Sequence, residues 1–215
     1  MTRILLVLVI VTFSMSIKAE VISKSIGDFD FIYINGNIEK GDMRTVVNLP
    51  IKWEKTFVLL NSDGGSAFDA ITISAFLATK GVITSVLPGQ RCFTECALIW
   101  LSGKHKVLSD TSSVGFKSSS FKINEEEKQI IGPMFLGENY NSGVDGIGFL
   151  AVTQLLQQGL GLDLNFVMEF LTSNDTKPRQ FTQGDFNKYN IQAQFSNDDS
   201  GEFRNALKNA GILSE

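Results

Sequence analysis

The run LLNSDGGSAFDAITISAFLATKG, residues 59–81, constrains the fold more than any other stretch. The apolar residues 57–60 stop abruptly at Asn61-Ser62-Asp63-Gly64-Gly65. A short continuous apolar run ended by turn residues reads as a buried parallel strand. Immediately after it Phe68, Ile71, Ala75 and Ala78 recur at helical spacing, with Ala70, Ile73 and Leu77 widening the same face. Gly81 stands where a helix C′ glycine belongs. A strand that turns straight into a helix over two glycines is one β-α unit.

The unit repeats. Before it, DFDFIYINGNI alternates as a strand and turns at Asn35-Gly36. After it come a second β run over 82–87, a polar turn, a helix over 94–102 closed by Gly103, and a short strand in KHKVLS. This order predicts an α/β fold with right-handed crossovers and a mainly parallel sheet. Ligands of such sheets gather at the carboxyl ends of strands, where the two polar turns fall. Residues 118–147 lack a period and read as a long loop or lid. GFLAVTQLLQQGLGLDLNFVMEFLTS supplies two glycine-interrupted helical patches, and the tail 197–215 is polar with a weak helix over 202–210.

The first 19 residues set the compartment. One arginine precedes an apolar run over 4–13, followed by small and polar residues, and that run is half of what spans a bilayer. A secretory signal peptide cleaved after Ala19 is the expectation, with an uncleaved anchor as the alternative. Its removal leaves 17 basic and 23 acidic residues, a net charge of −6. Residues 20–215 are then a single mildly acidic domain, periplasmic or secreted. No basic run points to nucleic acid, and no second apolar stretch is long enough to span a membrane.

Both cysteines lie in PGQRCFTECALIWLSG, residues 88–103. Zinc needs about four ligands, and beyond Cys92 and Cys96 the chain offers one histidine, His105. No metal and no cofactor is expected. In an oxidising compartment the pair reads as a disulfide staple, with two free thiols as the alternative. The bridge is reachable if Cys92 precedes the helix and Cys96 lies in its first turn.

Around this pair the two turns form a constellation. Gly64-Gly65 leaves backbone N–H groups free to face a ligand, and the start of the second helix adds more. Two such donors converging on one point stabilise a tetrahedral oxyanion. The hydroxyl at that helix start, Thr94, is the candidate nucleophile; as an ordinary residue it would be an N-cap.

At these residues the chain resembles the Clp-protease/crotonase superfamily, in particular exported bacterial proteins related to the Clp proteolytic subunit. FIYINGNIEKGD is similar to the first strand and turn of that family, and LLNSDGGSAFDAITISAFL to its S-P-G-G turn and helix. GQRCFTECALIWLSG resembles C-x-S-A-C and the apolar helix after it, VLSDTSSVGFK the strand ending in G-x-H or M-I-H, and RQFTQGDFNKYNI the closing F-L-S-x-x-E-A-x-x-Y-G-L. The likeness runs through about two thirds of the mature chain.

The resemblance implies a ClpP/crotonase-like fold of repeated β-α units, and an oxyanion hole made by the N–H groups of Gly65 and Glu95. It also shows three departures. Thr94 replaces the nucleophilic serine, Lys117 replaces the general-base histidine, and the third position falls near Pro178, with Asp175 the closest acid. Threonine keeps a hydroxyl but restricts χ1. A lysine is a base only when burial lowers its pKa from about 10.4. His105, in the GKHK turn, is not at the base position.

Two functions therefore stand against each other. One is a non-catalytic protein that keeps the family's cleft and binds a peptide or unfolded polypeptide segment. The other is a peptide hydrolase with Thr94 as nucleophile and Lys117 as base. Acyl-CoA chemistry of the crotonase branch conflicts with export. Homo-oligomerisation is implied by the resemblance alone.

Overall fold

The apolar run at residues 57–60 becomes the third of six strands in a central sheet. In a computed structural model, residues 19–116, 123–136, 147–163, 165–166, 169, 177–196, 205 and 208 are described. The chain enters through β1 (Glu20–Ile26) and β2 (Phe29–Asn35), an antiparallel pair. A short helix α1 (Asp42–Val47) leads to β3 (Thr56–Asn61), and α2 (Ala67–Lys80) leads to β4 (Ile83–Val86). Then follow β5 (Arg91–Phe93), α3 (Glu95–Leu101), β6 (His105–Ser109) and β7 (Ser113–Phe116). The C-terminal part holds α4 (Glu125–Leu136), α5 (Ile147–Gln154), a π turn over Leu155–Gly159, β8 (Arg179–Gln180), α6 (Gln183–Lys188) and β9 (Ala193–Ser196).

The large sheet has the order β1-β2-β3-β4-β6-β9, parallel from β2 onwards. The expected mainly parallel α/β architecture is therefore present. A second sheet, β5-β7-β8, pairs β5 with β7 in parallel and β7 with β8 antiparallel.

Strand alternation decides which face carries the core. Ile32 and Ile34 of β2 and Val58 and Leu60 of β3 point to one side, where Ala70, Ile71, Ile73 and Leu77 of α2 join them, all fully buried. Every residue of α3 is buried, so this helix is a core element without a solvent face. Each such Leu or Ile contributes about 1.5–3 kcal/mol of burial. On the other side of the sheet Phe31, Tyr33, Leu59 and Leu87 form a smaller cluster, with Phe57 stacked on Phe31.

The sequence expectation of an aperiodic segment over 118–147 does not hold for α4. Its start is a capping box: Asn124 Oδ1 accepts from the Glu127 amide at 2.9 Å, and Glu127 Oε2 accepts from the Asn124 amide at 2.8 Å. Pro133 lies inside this helix and blurs its apolar period. The weak helix expected over 202–210 lies outside the described residues, apart from helical 205 and 208.

Candidate functional site

Two loops meet at the carboxyl ends of the strands because backbone bonds pull them together. The Ser62 amide donates to the Arg91 carbonyl at 2.8 Å, and the Phe93 amide donates to the Ser62 carbonyl at 2.9 Å. This lays β5 beside the Asn61-Ser62-Asp63-Gly64-Gly65 turn. Outside, Arg91 grips Asp63 with two parallel bonds, Nε to Oδ1 at 2.5 Å and the second guanidinium nitrogen to Oδ2 at 2.7 Å. The Asp63 carboxylate raises the Arg91 pKa by hydrogen bonding, so the guanidinium stays charged. Both partners are more than half exposed, which limits the pair to about 1 kcal/mol or less.

The glycines are required where they stand. Gly64 and Gly65 have φ of 113° and 144°, in the region L side chains avoid. A Cβ on Gly65 would lie 2.1 Å from the Ile38 carbonyl oxygen. That carbonyl accepts from the Ser66 amide at 2.7 Å, and the Ile38 amide donates to the Gly64 carbonyl at 2.9 Å. Below, Asp69 is almost wholly buried and accepts from the Gly41 and Met43 amides and the Ser66 hydroxyl, tying α1 to the start of α2.

Thr94 sits on the elbow between β5 and α3 with φ 55° and ψ −110°. A β-branched residue at positive φ is a true conformational outlier. Its amide donates to the Gly115 carbonyl at 2.8 Å, and its hydroxyl makes no capping bond to α3. Thr94 thus stands at the N-cap position of α3 but caps it with no side-chain bond, and its backbone forms a buried elbow. Across this elbow Cys92 and Cys96 form a disulfide with Cα atoms 5.1 Å apart, Cys92 in β5 and Cys96 in the first turn of α3. The staple is present and the free-thiol alternative is not.

The Gly65 amide, expected to be an oxyanion donor, donates to Glu95 Oε2 at 3.0 Å. Glu95 is the first residue of α3 and is 2 % exposed. The family resemblance assigns a role to its N–H alone; its side chain folds back onto the glycine turn. An acidic residue directly after the elbow, opposite two glycines, was the available signal.

Lys117 and Asp175 lie outside the described residues, so the Thr94–Lys117 dyad does too. His105 opens β6, at the opposite end of the parallel sheet from the glycine turn. It lines a polar pocket of about 470 Å³ with Lys104, Lys106 and α6. Among the described residues, no group of three or more His, Cys, Asp or Glu side chains is placed to hold a metal ion. No helix among them is long and apolar enough to cross a membrane.

No protein-family model matches the sequence, and no curated protein is a significant match to it. Solved structures do match in three dimensions. A peptidase from Plasmodium falciparum is 13 % identical with a TM-score of 0.53, over 77 % of this chain and 94 % of that one. A structure described as an enzyme is 14 % identical with a TM-score of 0.54, over the same shares. Methylmalonyl CoA decarboxylase complexed with 2S-carboxypropyl CoA is 13 % identical with a TM-score of 0.50, over 89 % of this chain and 74 % of that one. By its parallel sheet, its glycine turn and these structural matches, the chain has the ClpP/crotonase-like fold.

Proposed function

We propose that this is an exported ClpP-like protein with a degenerate serine-peptidase site, which binds a peptide or unfolded polypeptide segment without cleaving it. One observation carries the reading: the Gly65 amide, which a hydrolase would aim at a developing oxyanion, is bonded to the chain's own Glu95. Removing one oxyanion donor costs about 10²–10³ in rate. Threonine in place of serine adds a crowding methyl at the point of attack. The signal-peptide-like start and the disulfide both agree with a periplasmic or secreted protein. Assembly into a homo-oligomer is part of the proposal.

A second reading has its own support. Thr94 holds the strained elbow conformation in which nucleophiles are presented. In that reading Thr94 attacks a peptide carbonyl and Lys117 takes its proton. The two are separated by incubating the mature protein, Thr94→Ala and Lys117→Ala with a library of unstructured peptides. Cleavage by the wild type alone, with unchanged melting of both variants, establishes the hydrolase. Equal silence of all three, with saturable binding of the same peptides, establishes the binding protein.

A further inference from the structure

We infer that the seat on the Gly65 amide is a carboxylate site, and that Glu95 is an internal ligand which a peptide's terminal carboxylate displaces. The inference rests on the peptide-binding reading and names the chemical group that binding would recognise.

The argument starts from how closely the carboxylate is fitted. A Cβ on Gly64 would lie 2.2 Å from Glu95 Oε2 and 3.4 Å from Thr94 Cβ. The glycine turn therefore has room for a carboxylate oxygen only because residue 64 has no side chain. Glu95 Oε2 takes its bond from Gly65, whose own backbone is exposed although Glu95 is buried. The turn that carries the donor therefore borders the surface at Gly65. A buried carboxylate is costly unless hydrogen-bonded, and a bond from a backbone N–H to a charged oxygen is among the stronger ones. What the seat holds is one oxygen of a small, planar carboxyl group.

A ligand offering the same group competes for the same donor. Extended peptides carry one such group at the C-terminus, and an amidated terminus lacks it. The occupied seat makes the free site a minor state, so the apparent affinity falls by the fraction of molecules in which Glu95 has left. Vacating the seat by mutation removes that reduction. The bridge between Cys92 and Cys96 flanks Glu95 on both sides and fixes the backbone from which its side chain reaches Gly65.

The probes are N-acetylglycine, which ends in a carboxylate, and N-acetylglycinamide, which does not. The readout is the Gly65 amide resonance in a ¹⁵N-labelled protein, followed during titration of wild type, Glu95→Ala and Glu95→Gln. Expected in Glu95→Ala are an upfield move of the Gly65 proton, its return on adding N-acetylglycine, and binding about tenfold tighter than to wild type; the amide gives no return. Glu95→Gln keeps the side-chain volume and serves where the alanine variant does not fold: a neutral acceptor is weaker, so a smaller upfield move and intermediate affinity are expected. A Gly65 proton that stays in place in both variants overturns the inference, because Glu95 is then not its ligand. A proton that moves but is not returned by N-acetylglycine also overturns it. Wild type binding long peptides equally well as free acids and as amides would sink the carboxylate seat while leaving peptide binding itself intact.

Discussion

The Thr94 amide donates to the carbonyl of Gly115 at 2.8 Å, so the elbow is hung from β7. Gly115 is itself pressed against β8: a Cβ there would lie 2.2 Å from the Arg179 carbonyl oxygen. Backbone cannot yield as a flexible side chain can. Gly115→Ala is expected to cost about 2 kcal/mol of stability. A urea titration checks this, and an unchanged midpoint would show that β8 gives way freely.

The elbow conformation predicts an inverted order of two small substitutions. Thr94→Ala and Thr94→Gly remove the same side-chain atoms beyond Cβ. At an ordinary position glycine is the less stable by about 0.4–1 kcal/mol. At φ 55° the Cβ is strained, and removing it recovers about 1–2 kcal/mol. Thr94→Gly should therefore melt above Thr94→Ala. The reverse order in a thermal scan would mean that the elbow relaxes in solution.

What the sequence made legible, and what it hid, divides by physical cause. The β3-turn-α2 unit was readable because its apolar run, its glycines and its helical period are all local signals. The staple was readable from compartment and spacing once Cys92 was placed ahead of the helix. By contrast β5 has three residues and β8 two, too few for any period, and they exist because Ser62 and β7 offer backbone partners. The direction of the Glu95 side chain was hidden for a different reason. It depends on the φ of Thr94, which tertiary structure imposes, and no propensity scale assigns that value to threonine. The α4 helix was hidden by Pro133 although Asn124 and Glu127 spelled its start.

The bridge closes a loop of five residues, Cys92 to Cys96, with both sulfurs wholly buried. Chain-entropy arithmetic for so short a loop gives about 2 kcal/mol. A Cys92→Ala/Cys96→Ala double variant should lose about that much in a chemical denaturation curve, plus the contacts of the missing sulfurs. Because the loop carries Thr94 and Glu95, the Gly65 amide should also exchange faster with solvent than in wild type. Loss of stability with unchanged Gly65 exchange would show that the elbow keeps its shape without the bridge.

Glu169 supplies a pH dependence through its ion pair with Arg179 of β8. Its carboxylate accepts from Lys188 Nζ at 2.7 Å and also from Arg179 and the Tyr189 hydroxyl. Arg179 reaches on to Asp185 Oδ1 at 3.0 Å. The hydrogen bond from Lys188, and then that from Arg179, hold the Glu169 carboxyl below its usual 4.5. The folded protein thus keeps this group ionised at a pH where the unfolded chain has already taken up a proton. The unfolded state binds more protons, so stability rises with pH through this range. The contribution is complete above 4.5 and drains away as pH falls through the lower folded value. Wild type should therefore melt above Glu169→Gln at neutral pH, and the gap should narrow steadily as the buffer is taken from about pH 6 to about pH 3. A gap that stays constant across that range would mean the carboxylate contributes as a neutral hydrogen-bond acceptor and not through its charge.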